Sequence, residues 1–431
     1  MSKSVLRDVY TRRRFLHWSQ AAMAALGASP LLAGASKAFG ATAPAPKASA
    51  PQPDYYDKLG VTKTINAAGT FTMYTASTMP PAVQHAVAQA ALHPVHLGEL
   101  QRAAGEYIAK KLQCEGALVS CGASSALTLA TAACVNAANL GIKVTDIPQE
   151  ISTLKNEVIV QKGHRYGYDH AMYLCGIKIV EVETMDDYKR AFTPNTVMTN
   201  FFNAAPSGEI KHEDWLEVAH QHNVPCHIDA AADMPPISNL WKFTKMGFDL
   251  VCFSGGKGIR GPQNAGLLLG KKSLIELAAA SNNPDDGVGR GMKVAKEQIV
   301  GMVAAVDWIL EQTDEGMEKE FTRRANVISN MVKHVPSMQA KIFIPPVANH
   351  VPHLLLTYDP SVVGIPVKEV QTRLRALKPS IELNPASGGR RSLDGNGSGE
   401  NTLVVATWML QPDEEEIVGR ELHRVLANAK A

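Results

Sequence analysis

Seven short apolar runs, Ala117–Ser120, Glu157–Gln161, Ile177–Val182, Thr196–Phe201, Val224–Asp229, Phe248–Phe253 and Gly266–Leu269, alternate with helical or polar stretches in the middle of this chain. The clearest helical patterns between them are Gly122–Ala138 and His212–His222. Runs of this length buried on both faces, with helices between, predict a mostly parallel α/β sheet. In such sheets, ligand-binding groups gather beyond the carboxyl ends of the strands. Asp229 closes one predicted strand, and Lys257 lies in the glycine-rich turn Ser254-Gly255-Gly256-Lys257-Gly258 after the next. A lysine in such a turn is ordinarily a solvated residue. Paired with an acid at the neighbouring strand end, it acquires a chemical meaning.

That meaning is pyridoxal phosphate chemistry: a lysine amine to form a Schiff base, and a carboxylate to keep the pyridine nitrogen protonated. Ala231 supplies a small residue that lets a ring lie close, and Ser254 a hydroxyl near the phosphate. Gly122-Ala123-Ser124-Ser125 opens a helix directly after a strand, where free N–H groups and the positive helix end suit a phosphate. The alternative there is an ordinary serine cap. His164, in Gly163-His164-Arg165-Tyr166, is placed to stack on a cofactor ring. A pocket that desolvates Lys257, together with a nearby cation such as Arg260, is expected to lower the Lys257 pKa. Arg290 and Lys293 are placed to touch phosphate or a substrate carboxylate, or else are solvated. Arg390 and Arg391, in the glycine-rich loop 388–401, are candidates to clamp a substrate acid.

The 431 residues carry 45% hydrophobic and 19% charged side chains with a formal net charge of +2, an ordinary globular balance with no pull toward nucleic acid or anionic membrane. The six cysteines, at 114, 121, 134, 175, 226 and 252, form no CxxC pair and read as buried free thiols. His93/His96 and His350/His353 lack a third ligand at sensible spacing, so no metal site is assigned. Toward the C-terminus, strands are expected near Ala340–Phe343, Leu354–Tyr358 and Thr402–Thr407.

Thr11-Arg12-Arg13-Arg14-Phe15-Leu16-His17 resembles a twin-arginine export signal, followed by an apolar stretch from Ala21 to Leu32 and small residues from Ala38 to Ala43. The apolar run is short for a membrane span. The expectation is a signal peptide at 1–43 read by the twin-arginine export machinery, a linker at 44–53, a periplasmic or exported mature protein, and no stable membrane anchor.

Ser254-Gly255-Gly256-Lys257-Gly258-Ile259-Arg260-Gly261-Pro262-Gln263 resembles the lysine loop of fold-type I pyridoxal phosphate enzymes of the selenocysteine synthase (L-seryl-tRNA selenium transferase)-like group. The similarity is greater to that group's D-glucosaminate-6-phosphate ammonia-lyase-like branch. Tyr56–Val61, Ile65-Asn66-Ala67-Ala68-Gly69-Thr70, Glu99-Leu100-Gln101 and 289–297 resemble the same branch, in the same order. The resemblance implies an aspartate-aminotransferase-like α/β fold, with an N-terminal arm at 54–100, a large cofactor-binding domain at 101–300 and a smaller C-terminal α+β domain at 301–431. It also implies pyridoxal 5'-phosphate bound as an internal aldimine at Lys257, Asn66 near the substrate, and a homodimer or higher homo-oligomer. The bacterial selenium transferases carry an extra N-terminal domain for tRNA, where this chain has the signal-like segment and linker, so no nucleic-acid partner is expected. The expected activity is a lyase eliminating ammonia or water from a hydroxyl-bearing amino acid or amino sugar acid. Selenium-transferase-like β-substitution and transamination are alternatives, as is a non-catalytic binding module that keeps the fold.

Overall fold

The computed structural model describes residues 54–205, 208–397 and 399–429. The export signal and linker read from the sequence lie outside the described residues. The described residues divide into two units, one ending at Val61 and the other beginning at Thr62. Of the first unit, the described part is the helix Tyr55–Leu59, capped by Asp54, which accepts from the Tyr56 N–H at 2.8 Å.

The second unit is built around a seven-stranded sheet. Its strands are β2 (Gly116–Ser120), β3 (Glu157–Gln161), β4 (Lys178–Val182), β5 (Thr196–Phe202), β6 (Cys226–Asp229), β7 (Leu250–Ser254) and β8 (Gly266–Gly270), after β1 (Thr64–Ala67) earlier in the chain. The order is β2-β8-β7-β6-β5-β3-β4. The run from β7 to β4 is parallel, and β8 alone runs against both of its neighbours. The α/β reading with a mostly parallel sheet is therefore what the chain adopts. Every residue of β2, β6 and β8 is buried, as continuous apolar runs between helical layers demand.

The helix Gly122–Ala138 is buried from Ser125 through Asn136, which explains its run of small residues without a polar stripe. It returns from β2 beneath the sheet. Its first turn approaches β8 so closely that a Cβ on Gly266 would lie 2.4 Å from the Gly122 carbonyl carbon. Glycine is required there by the packing.

The C-terminal part adds an antiparallel sheet, β12-β10-β9, from β9 (Gln339–Phe343), β10 (His353–Thr357) and β12 (Thr402–Ala406). Each lies within a residue or two of the strand expected from sequence. A further strand, β11 (Ser380–Leu383), has no counterpart among those expectations. It pairs in parallel with β1, Thr64 opposite Ser380 and Ala67 opposite Leu383. Ile65 and Ala67 are thus buried in the same core as Leu354, Val405 and Leu422. The alternation of β1 signals a strand, but its partner lies more than 300 residues away and leaves no local trace.

Gly266→Ala is expected to push the Gly122 turn off β8 and destabilise the protein by about 1–3 kcal/mol, the usual cost of overpacking a tight core. Chemical denaturation of the two proteins checks this. Equal midpoints would show that the turn relaxes freely.

Candidate active site

Register across the sheet decides which residues meet. Phe202, Asp229 and Cys252 stand side by side on β5, β6 and β7. One layer further on, Ser120, Gly266 and Ser254 stand side by side on β2, β8 and β7. The parallel strands all present their carboxyl ends here, and the helix Gly122–Ala138 begins at the same edge.

Asp229 is 4% exposed and its carboxylate is closely held. Oδ1 accepts from the Ala231 N–H at 2.9 Å and from the Cys252 thiol at 3.5 Å. Oδ2 accepts from the Tyr166 hydroxyl. Burial foremost, and then the Asp229 charge, hold the Tyr166 phenol far above its ordinary pKa, so it stays a donor. Its ring lies flat on Phe202, with centroids 4.0 Å apart and planes 16° apart. A carboxylate offers about four acceptor positions, and three donors occupy this one, leaving room for one more N–H.

Lys257 is half-buried in the turn between β7 and β8. Burial lowers its pKa below the ordinary lysine value, opposed by the charges of Asp229 and then Asp233. The turn is braced by Gly258, where a Cβ would fall 2.0 Å from the Met234 carbonyl oxygen. Ser77 Oγ donates to the Gly256 carbonyl at 2.7 Å from the N-terminal side of the unit. Arg260, offered from sequence as a cation acting on Lys257, does not figure among the charges that shift it.

Asp233, four residues beyond Asp229, is 2% exposed. Oδ1 accepts from the Ala348 N–H at 3.1 Å, and Oδ2 makes no well-formed hydrogen bond among the described residues. Burial, reinforced by Asp229, raises it to about 6. Both acids act on the lysine through their charges: Asp229, with one acceptor position open, and Asp233, half-satisfied and easily protonated.

At the start of the helix Gly122–Ala138, Cys121 gives no side-chain cap, and Gly122 takes φ +80°. The Ser125 hydroxyl, 4% exposed, finds no partner among the described residues. Ser124 is half-buried beside it. An uncapped helix start with a buried, orphaned hydroxyl is a ready anion site. The residue set of Gly122, Ala123, Ser124, Ser125, Asp229, Ala231, Ser254 and Lys257 thus converges on one edge of the sheet and fits pyridoxal phosphate: an anion cradle, an acid with one vacant acceptor position and an amine of lowered basicity.

Other residues singled out from sequence are placed differently. His164 is 3% exposed, packed edge-on to Phe201 at 4.4 Å, with Nδ1 accepting from the Phe202 N–H at 3.2 Å. Burial lowers it to about 4. The ring that meets Asp229 is instead that of Tyr166, two residues on. Asn66 turns both ends of its amide inward, donating to the Gly69 and Ala76 carbonyls and accepting from the Ala68 and Gly69 N–H groups, each at 3.1 Å. It braces the turn after β1. Arg290 is exposed, donating to Asn283 at 2.8 Å and lying 3.5 Å from Asp286. Arg390 and Arg391 are both exposed in their loop. The sequence reading does not reach Tyr166 and Asp233. A tyrosine within the very segment chosen for its histidine, and an Asp four residues after Asp229, are the only signals the sequence holds for them.

His220, Cys226 and Asp249 form a compact group at the opposite ends of the strands. The Asp249 oxygens are already taken by Lys271 at 2.5 Å, the Cys226 N–H at 2.7 Å and His220 at 3.0 Å. Burial pushes the Cys226 thiol up to about 12, so it remains protonated.

Residues 65–322 match the family model for L-seryl-tRNA selenium transferase. The chain is 27% identical to 5'-C-glycyluridine monooxygenase-decarboxylase of a Streptomyces species, over 86% of this chain and 92% of that one. It is 26% identical to D-glucosaminate-6-phosphate ammonia lyase of Salmonella typhimurium, over 82% of this chain and 96% of that one. A solved structure of D-glucosaminate-6-phosphate ammonia-lyase superposes with a TM-score of 0.74 at 24% identity, covering 88% of this chain and all of the other. That match bears on the fold, which is the fold-type I architecture.

Replacing Asp233 by Asn separates its electrostatic role from its packing. Below about pH 4 the wild-type carboxyl is protonated whether the chain is folded or not. As pH rises through about 6 the folded state must ionise a buried acid and loses stability, with a ceiling of roughly 3 kcal/mol. The Asp233→Asn protein has no such loss, so the stability difference between the two proteins should shift in the variant's favour from pH 4 to pH 7. Urea unfolding at both pH values measures it; a pH-independent difference would overturn the buried-acid account.

Proposed function

This chain belongs to the L-seryl-tRNA selenium transferase family and is an enzyme, and from that premise we propose that it is a pyridoxal phosphate-dependent lyase. Its substrate in this reading is a hydroxyl-bearing amino acid or amino sugar acid, from which it eliminates ammonia or water. The observation that carries the proposal is the half-buried Lys257 amine, near enough to the Asp229 and Asp233 carboxylates to feel both charges, in a turn at the sheet edge where an uncapped helix begins.

Bound pyridoxal phosphate supplies an electron sink joined to the substrate's amino group. The N–H groups and hydroxyls of 122–125, with Ser254, hold its phosphate. Asp229 holds its ring nitrogen with the acceptor position that Tyr166, Ala231 and Cys252 leave open. Lys257 would attach the cofactor, and its amine, whose basicity burial lowers, is the base placed to accept the substrate's α-proton. General-base work of this kind contributes about 10²–10⁴-fold. Asp233, raised to about 6 by burial, is the nearby acid able to hold a proton for a leaving hydroxyl. Like the sequence similarity to an ammonia lyase over most of both chains, this pairing of base and acid favours elimination.

Lys257→Ala should abolish covalent attachment of pyridoxal phosphate, read by borohydride trapping and mass spectrometry, and reduce turnover at least about 10²-fold. Asp229→Ala should keep the attachment and lose turnover. A screen of hydroxyl-bearing amino acids and amino sugar acids for release of ammonia and keto acid identifies the substrate. Covalent trapping in Lys257→Ala would sink the assignment.

The proposal extends to location and assembly: export through the twin-arginine route, a periplasmic site of action and a homodimer. The export reading rests on Arg12, Arg13 and the apolar and small residues behind them. The paired guanidinium geometry is not reproduced by lysine, so replacing Arg12 and Arg13 together by Lys should retain the full-length protein in the cytoplasm. Cell fractionation decides, and a cytosolic wild-type protein would remove the export claim.

A further inference from the structure

Behind the lysine turn lies a cavity of about 200 Å3 that the proposed chemistry does not use. Pro235 and Gly258 form its side toward the catalytic residues; Arg260, Arg324, Trp308 and Trp408 form much of the rest. Arg260 takes φ +59°, a left-handed conformation unusual for a residue with a long side chain. Its Nε donates to the Thr78 carbonyl at 3.0 Å, and its guanidinium lies 5.8 Å over the Trp308 ring. It has no carboxylate within ion-pair distance among the described residues. Burial, and then the charge of Arg324, lower it to about 10, so it remains a cation at neutral pH.

Arg324 is itself engaged: its guanidinium donates to the Leu410 and Thr407 carbonyls as well as to Glu320. Its Nε donates to Glu320 at 2.8 Å, but Glu320 also receives two bonds from Arg323, each 2.8 Å. Arg323 reaches Glu415 as well, at 2.6 Å. Around Arg260, Arg323 and Arg324 stand the carboxylates of Glu320, Glu415 and Glu414, the last near enough to Arg324 to feel its charge, and none of the three pairs with Arg260. A desolvated cation facing a second one is unfavourable unless an anion joins them. Guanidinium geometry suits a carboxylate bound by paired N–H groups. The aromatic walls suit an apolar body, and the volume is below that of ordinary drug-sized pockets, about 300–1,000 Å3.

We propose that this cavity binds a small organic carboxylate, its acid group between Arg260 and Arg324 and its apolar part against Trp308 and Trp408. The site is separate from the cofactor cradle at 122–125 and does not rest on the lyase reading.

The two tryptophans supply the assay. Holoenzyme is titrated with benzoate, acetate and inorganic phosphate while intrinsic fluorescence is followed, with calorimetry as the second measurement. Benzoate should bind saturably and more tightly than acetate, and phosphate most weakly. Arg260→Gln should weaken benzoate at least about tenfold, the loss of one charge-assisted contact. Its melting temperature should hold, because removing one of two facing cations relieves repulsion. Exposed Arg420→Gln should bind as wild type. Lys257→Ala should also bind benzoate normally; loss of binding there would place the acid in the catalytic cleft and overturn a separate site. Absence of saturable binding, or unchanged affinity in Arg260→Gln, would overturn the proposal outright.

Discussion

A buried carboxylate with donors from three parts of the chain organises this molecule. Asp229 receives the Tyr166 hydroxyl from the turn after β3, the Ala231 N–H from its own turn and the Cys252 thiol from the adjacent strand. An ionised acid taken out of water is costly unless its oxygens are bonded. These contacts offset that cost only when β3, β6 and β7 keep their relative positions. The register that sets Asp229 opposite Cys252 also sends the chain directly into the turn that carries Lys257. The acid and the amine are therefore held by one arrangement of strands.

Asp233 connects this arrangement to the C-terminal sheet. The segment between β9 and β10 gives its Ala348 N–H to the Asp233 carboxylate and its Asn349 N–H to the Ala232 carbonyl, at 3.1 and 2.7 Å. Ala348 and Asn349 both take positive φ, which turns consecutive N–H groups toward the 229–235 segment. The charge state of Asp233 and the placement of the C-terminal part are thereby linked through a single hydrogen bond. Burial raises the half-satisfied Asp233 to about 6, which suits it to carrying a proton.

The proteins similar to this one bear names from different reaction types: an ammonia lyase, a monooxygenase-decarboxylase and a selenium transferase family. A shared fold places the amine, the acid and the helix start, and leaves the choice of reaction to the groups around them. In this chain those groups include a second buried acid and, behind the lysine turn, an arginine without a carboxylate.

The local chemistry was legible along the chain. Glycines around Lys257, an acid at a strand end, and apolar runs of strand length each speak through a few neighbouring residues, and together they announced the α/β fold and the central pair. The roles of side chains with distant partners were not legible. Asn66 and Arg290 are residue types that often face ligands, yet here one is spent on its own turn and the other on Asn283 and Asp286. Tyr166 outranks His164 as the neighbour of Asp229 because His164 is turned onto β5 and the Tyr166 ring is laid against Phe202. The pairing of β1 with β11 and the burial of Asp233 arise from contacts with residues far along the chain. Secondary structure follows from local periodicity and turn chemistry; hydrogen-bond partners, burial and the charge states they produce exist only once the chain has packed.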